Sequence, residues 1–116
     1  MTTLLHIANR SDWEAARATG EYRAASLNTD GFIHLSAPEQ VLMPANTVFR
    51  GQTGLVLLVL DTDRLIARVR WEDLYGHGAF PHLYGPLNQD AVINVLPFEP
   101  GQDETFSLPE ALTDAG

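Results

Sequence analysis

The sequence predicts a single α+β domain in which helices come early and a sheet is completed late. Two segments with helix signals lie in the first half of the chain, at residues 12–20 and 38–49. Residues 55–60 contain no polar side chain, and the later segments 65–71 and 91–98 have the composition of strands. An order of strand, helix, strand, helix and then mostly strands is typical of the α+β class.

The chain opens with a predicted strand and helix. Residues 4–8 are apolar apart from His6, which indicates a strand. Ser11 or Asp12 is placed to cap the helix that follows, and Gly20 is the residue expected to end it.

A second strand and a second helix follow. Residues 21–27 are ambiguous and permit a short extended piece, and a turn signal at residues 28–31 precedes a strand at 31–36. In the helix at 38–49 the apolar residues follow helical spacing and form one buried face. Pro44 lies inside that helix and removes a backbone hydrogen bond, so we expect a kink or a split just before it.

The second half is predicted to supply the rest of the sheet. Residues 55–60 form its central strand, because a strand without polar residues needs cover on both faces. Residues 65–71 alternate in polarity and predict an edge or half-exposed strand. Short strands at 82–84 and 91–98 complete the sheet.

Length and composition limit the classes of protein and chemistry. At 116 residues the chain is expected to form one domain over residues 1–98, followed by an acidic, partly flexible tail at 99–116. The absence of cysteine excludes disulfides and thiolate metal sites, and the absence of lysine excludes Schiff-base and P-loop lysine chemistry. The net charge of −8 argues against duplex nucleic acid as a partner. With no signal peptide and no membrane-length apolar run, we expect a cytoplasmic protein of undetermined oligomeric state.

Three histidines are the first candidates for a functional site. His6, His34 and His82 each lie among apolar neighbours in a strand-like segment. A buried imidazole must satisfy two ring nitrogens, so three of them predict one shared polar cleft rather than three separate arrangements. Histidine can act as an acid or a base near neutral pH, and the catalytic candidates are therefore His34 and His6, with Glu72 beside them.

Further side chains are candidates for binding a ligand in the same cleft. Trp71 offers an aromatic wall for a flat ring, and Glu72 directly after it can orient a histidine or accept a ribose hydroxyl. The complete set of ligand-binding candidates is His82, Trp71, Tyr84, Ser36 and Ser26.

Three alternatives stay open from the residues alone. The cleft can bind a nucleotide-like ligand without turning it over, or be the remnant of a site in a structural domain. Three histidines with a water also make a metal-dependent hydrolase site, but no His-x-His or His-x-x-x-His pair occurs. We therefore assign no metal ligands.

Several segments spread over residues 4–98 follow the pattern of a known family. They are Leu5-His6-Ile7, the stretch DGFIHLS at residues 30–36 with Glu39-Gln40, the apolar strand that ends at Asp61, Trp71-Glu72, and FPHLYGPL at residues 80–87. Together they resemble the bacterial domain-of-unknown-function family DUF952.

That resemblance implies a fold similar to the ADP-ribosyltransferase fold, with a split mixed or antiparallel sheet and two early helices. In those enzymes an early strand carries a histidine that holds a ribose of NAD, and His6 matches it by position. The stretch His34-Leu35-Ser36 is similar to one in RNA 2′-phosphotransferases, which share the fold and use NAD. The resemblance therefore implies a site for NAD, ADP-ribose or another nucleotide-like ligand, and a glycosyl- or ADP-ribosyl-type transferase. Where those enzymes carry a glutamate near the last strand, this sequence has Asn-Gln-Asp at residues 88–90.

Overall fold

The structure is a computed structural model that describes residues 2–113. Helices and strands alternate early, and strands dominate later, which confirms the α+β class predicted from the sequence. The elements are β1 (Thr3–Asn9), α1 (Arg10–Ala16), β2 (Glu21–Tyr22), α2 (Ala25–Thr29), β3 (Ile33–His34), α3 (Leu42–Val48), β4 (Leu55–Asp61), β5 (Arg68–Glu72), β6 (Phe80–Tyr84), β7 (Leu87–Asn88), β8 (Val92–Phe98) and α4 (Glu110–Thr113). Short 3₁₀ turns at Thr62–Arg64 and Gln89–Ala91 connect strands.

Strand β4 is the centre of the larger sheet, in the order β1-β4-β8. It pairs antiparallel with both neighbours, and all seven of its residues are buried. An all-apolar strand is stable only where both faces are covered, so the prediction of a central strand at 55–60 is confirmed.

The second sheet has the order β3-β6-β5, and it is also antiparallel. Strand β5 lies at its edge, as the alternating sequence at 65–71 predicts, but it begins only at Arg68. The two sheets touch through one bridge, in which the amides and carbonyls of Leu5 and Ser36 exchange hydrogen bonds of 2.7 and 2.8 Å. Strands β2 and β7 form a separate two-stranded ladder.

The two faces of β4 organise two hydrophobic clusters. Val56, Leu58 and Leu60 point to the side occupied by the second sheet, with Ile33 and Leu83. The alternate residues point to the opposite side, where α3 and the C-terminal segment pack; they are Leu55, Leu57 and Val59, with Val41, Ala45, Phe98 and Phe106. Alternation along one strand therefore joins the layers of the domain.

The first half differs from the sequence prediction at three places. The cap of α1 is Asn9, whose Oδ1 accepts a hydrogen bond from the backbone N–H of Ser11 at 3.0 Å, so the helix starts earlier than expected. Residues 21–27, which permit a short extended piece, contain β2 at Glu21–Tyr22 and then the start of a short helix, α2. The helix expected at 38–49 is shorter, since residues 38–41 form turns. Helix α3 starts at Leu42 and places Pro44 in its first turn, where the missing N–H costs no helical bond.

The C-terminal segment contacts the core through Phe106. Its ring stacks on Phe98 with 4.6 Å between centroids, and its backbone N–H donates to Asn46 Oδ1 at 2.6 Å. The domain boundary at residue 98 and the flexibility of the tail stay predictions, and residues 114–116 lie outside the described part of the chain. Within residues 2–113 no helix has the length and apolar character that crossing a membrane requires.

We predict that replacing Leu58 lowers stability far more than replacing an exposed leucine. Leu58→Ala removes a fully buried side chain from β4 and leaves a cavity, so the free energy of unfolding should fall by about 2–5 kcal/mol. Leu74→Ala, at a half-exposed loop position, should change it by less than about 0.5 kcal/mol. Urea unfolding of both variants measures the difference, and equal losses would contradict the described core.

Candidate functional site

A cleft of about 400 Å³ opens beside the Leu5–Ser36 bridge, where β1 and β3 separate. Its polar lining residues come from five elements and the segments that follow β3 and α3; they are His6, Asn9, Asp12, Tyr22, Ser26, His34, Ser36 and Gln52. Its apolar lining residues are Ile7, Ala24, Ala25, Pro44, Val48, Phe49 and Leu55. The cleft therefore combines polar and apolar side chains.

His6 connects the two sheets through its side chain. Its Nδ1 lies 2.7 Å from the carbonyl oxygen of His34, and its Nε2 lies 3.2 Å from the hydroxyl of Tyr22. A carbonyl only accepts, so Nδ1 carries the proton and donates it. Burial lowers the pKa of His6 from 6.5 to about 4, although the bond to His34 opposes this shift. His6 is therefore a neutral imidazole at pH 7, and both ring nitrogens are engaged.

Tyr22 is the second buried polar group of the cleft. Because His6 Nε2 carries a lone pair, the Tyr22 hydroxyl donates to it. Burial, followed by the nearby charge of Asp12, raises the pKa of Tyr22 to about 12, which keeps the phenol protonated. Its ring also packs at a tilt against His6 and Trp13, with centroids 5.3 and 6.4 Å away.

His34 differs from His6 because its ring is exposed. Its Nε2 lies 3.0 Å from the Asp30 carboxylate, which follows the end of α2. The carboxylate accepts from Nε2–H, so a proton on Nε2 and a lone pair on Nδ1 describe the neutral ring. The carbonyl of the same residue accepts from His6, so His34 contributes to the cleft through its backbone as well.

The two serines of the cleft are held by different bonds. The Ser26 hydroxyl donates to the carbonyl of Phe32 at 2.8 Å. Ser36 is tied to β1 through its backbone, and its hydroxyl has no hydrogen-bond partner among residues 2–113. Ser36 therefore presents a hydroxyl that is available to a ligand.

His82 belongs to a second group of side chains, which we call the His82 cluster and define as Phe32, Glu72, His82 and Tyr84. The His82 ring is 1% exposed and stacks on Phe32 with 4.1 Å between centroids. Its Nδ1 donates to Glu72 Oε1 at 2.9 Å, and the same oxygen accepts from the Tyr84 hydroxyl at 2.5 Å. These hydrogen bonds, that of Tyr84 first, hold the pKa of Glu72 below its usual value and raise that of Tyr84.

Strand register places His34, which lines the cleft, beside His82 of the other group. His34 pairs with His82 across β3 and β6, and their rings are 5.6 Å apart. Glu72, His82 and Tyr84 share one face of the second sheet, whereas Trp71 follows the opposite face by alternation and is 53% exposed. Among the described residues the cleft is lined by His6, Ser26, His34 and Ser36, but not by His82, Trp71, Glu72 or Tyr84.

We expected all the candidates to share one cleft, and the structure places only some of them there. The expectation failed because apolar neighbours indicate burial of a histidine but do not reveal on which face of which sheet it lies. Sequence reasoning also missed Tyr22 and Asp30. The only patterns that could have indicated them are the alternation of Tyr22 with Ala24 and Ser26 and the four-residue spacing from Asp30 to His34. Both patterns are weak.

The described residues offer no ready metal centre. Within 2–113 no group of three or more His, Asp or Glu side chains is arranged to hold a metal ion. A wide, shallow groove of about 540 Å³ lies next to the cleft and shares Asp12, Tyr22 and Ala25 with it. Its arginine, Arg23, is bonded to Glu21 at 3.0 Å.

The fold defines a small α+β protein built on antiparallel sheets. The chain belongs to the family described as "Protein of unknown function (DUF952)", whose model matches residues 7–95. It is similar to two crystal structures of protein CC0527 from Caulobacter crescentus, one of them a double mutant. In both, identity is 38%, coverage is 96% of this chain and 98% of that one, and the TM-score is 0.86. The solution NMR structure of the same protein gives 38% identity, 97% and 98% coverage and a TM-score of 0.83. No curated protein matches the chain significantly.

We predict that His6 makes stability depend on pH below neutrality. Its pKa is about 4 in the folded state, against 6.5 for an ordinary exposed histidine, so the unfolded chain binds more protons between these values. The free energy of unfolding should therefore fall by about 3 kcal/mol from this group as pH drops from about 7 to about 4. Denaturant titrations across this range measure the slope.

The matched controls are two substitutions of the same kind. His6→Gln should remove this part of the slope, whereas His77→Gln, in the exposed loop between β5 and β6, should retain it. Identical slopes in the wild type and both variants would show that His6 is not held neutral by the fold.

Proposed function

We propose that the protein binds a nucleoside-like small molecule in the cleft between β1 and β3, such as the nucleoside part of NAD or ADP-ribose. The observation that supports this most is the cavity of about 400 Å³, which is lined by both apolar and polar side chains. Its size falls in the range of small-molecule sites, which combine apolar contact with a few convergent polar groups.

The two kinds of lining side chain suit the two parts of such a ligand. Phe49 and Pro44 offer apolar surface for a flat ring, and Ser36 and Tyr22 offer hydroxyl groups. Ribose hydroxyls both donate and accept, which matches the hydroxyl of Ser36 and the oxygen of Tyr22.

We also propose that the arrangement is related to the ADP-ribosyltransferase fold. Two antiparallel sheets that diverge after a single bridge, with His6 on the first strand beside the opening, support this relationship. In that fold the corresponding cleft takes NAD, which is why NAD and ADP-ribose are the first ligands to be tested.

A second candidate function is transfer of a glycosyl or ADP-ribosyl group, with His34 as the acid or base. The exposed His34 ring, backed by Asp30 at 3.0 Å, supports it, because this pairing leaves Nδ1 to take up a proton. The other catalytic candidates are less suited, since His6 uses both nitrogens and Glu72 binds two donors through one oxygen. Release of nicotinamide from NAD, lost in His34→Ala, would distinguish turnover from binding.

The test of the binding proposal is a protein-detected ¹⁵N NMR titration with NAD, ADP-ribose, adenosine, Mg²⁺ and Zn²⁺. We expect at least one of the organic ligands to shift the amides of Ser26, Ser36 and Val48, and the metals to leave them unchanged. Shifts confined to residues far from the cleft, or none at all with every ligand, would overturn the proposal.

We predict that His34→Ala weakens binding of the ligand found in that titration by about fivefold to tenfold, the value of one hydrogen bond. The side chain is exposed, so its loss removes little packing and should barely change the melting temperature. His77→Ala is the matched control and should leave the dissociation constant unchanged. A drop in melting temperature without a change in affinity would assign His34 a structural role.

A further inference from the structure

The hydrogen atoms of the cleft can be assigned by following a chain of bonds that starts at a backbone carbonyl. The carbonyl of His34 accepts from Nδ1–H of His6, so Nε2 of His6 holds a lone pair. That lone pair accepts the hydrogen bond donated by the Tyr22 hydroxyl. The Tyr22 oxygen therefore has only lone pairs left for a ligand.

The hydroxyl hydrogen of Ser26 can be assigned in the same way. Its hydroxyl hydrogen is donated to the carbonyl of Phe32, so its oxygen can only accept from a ligand. Two hydroxyl groups that usually serve both roles thus become acceptors in this cleft.

The charge of the lining points in the same direction. Asp12 lines the cleft and contributes a carboxylate, and no arginine is among the lining residues described in the range 2–113. Lysine is absent from the whole chain. The arginine of the neighbouring groove, Arg23, is already bonded to Glu21.

His34 also lines the cleft, and while its ring is neutral its one N–H, on Nε2, is already donated to Asp30. The other side-chain donors are neutral. They are the hydroxyl of Ser36 and the side-chain amides of Asn9 and Gln52, of which Asn9 already uses its oxygen to cap α1. Neutral donors can serve a carbonyl or a ring nitrogen, but they do not compensate the desolvation of a phosphate or carboxylate.

We infer that the cleft selects uncharged or cationic groups bearing N–H or O–H donors and excludes phosphates and carboxylates. The inference rests on the proposed function and names the part of the ligand that enters. For NAD or ADP-ribose, a base or a ribosyl unit occupies the cleft and the pyrophosphate lies outside it.

The experiment compares two matched pairs of ligands by the same NMR titration at pH 7.5. Nicotinamide and nicotinate differ by a carboxamide and a carboxylate, and adenosine and AMP differ by a phosphate. We expect the neutral member of at least one pair to bind in the cleft. Its charged partner should bind at least about tenfold more weakly, because the anion and the Asp12 carboxylate repel each other.

An Asp12→Asn variant tests the electrostatic part. Removing that charge should strengthen binding of the anion and so reduce the difference in affinity between the two ligands of a pair. Asp63→Asn is the matched control, since Asp63 follows β4 at the end opposite Leu55, and it should leave the difference unchanged.

The outcomes separate the two claims. Binding of AMP or nicotinate in the cleft as tightly as its neutral partner overturns the inference and leaves the binding proposal standing. Failure of all four ligands, together with NAD and ADP-ribose, to shift cleft amides overturns the proposed function and the inference with it.

Discussion

The hydrogen bond from His6 to the carbonyl of His34 is the interaction on which the site depends. Strand β1 pairs with the segment after β3 at the isolated Leu5–Ser36 bridge, and beyond it the two sheets separate. At that point the Nδ1–H of His6 takes the place of a backbone donor. It donates, at 2.7 Å, to the carbonyl oxygen of His34, which the sheet leaves without a backbone partner. Because a carbonyl can only accept, the bond also fixes the tautomer of His6. The donor and acceptor pattern of the cleft therefore depends on the position at which the two sheets separate.

Much of the fold could be predicted because it depends on local patterns. The all-apolar run at 55–60 required a central strand, and the alternation at 65–71 required an edge. The errors lie where tertiary contacts override short-range signals. Residues 38–41 form turns rather than the first turn of a helix, and the cap of α1 is supplied by Asn9 at the end of a strand.

The candidate site was only partly predictable, for a reason of geometry. Apolar neighbours correctly indicated that His6 and His82 are buried, while the ring of His34, flanked by the same signal, is exposed. Their separation into a cleft and a cluster depends on where two sheets diverge, which no local pattern encodes. Phe32 shows the difficulty, because its ring covers His82 while its carbonyl accepts from Ser26 of the cleft wall.

The central claim is that the fold holds His6 as a neutral imidazole with its proton on Nδ1. The most direct measurement is a ¹⁵N NMR spectrum of the histidine rings, with His6→Gln used to assign the signals, recorded from pH 8 down to the acid limit of the folded state. We expect a protonated Nδ1 and an unprotonated Nε2 for His6, with no titration until pH approaches about 4. A proton on Nε2, or a titration midpoint near the ordinary value of 6.5, would contradict it.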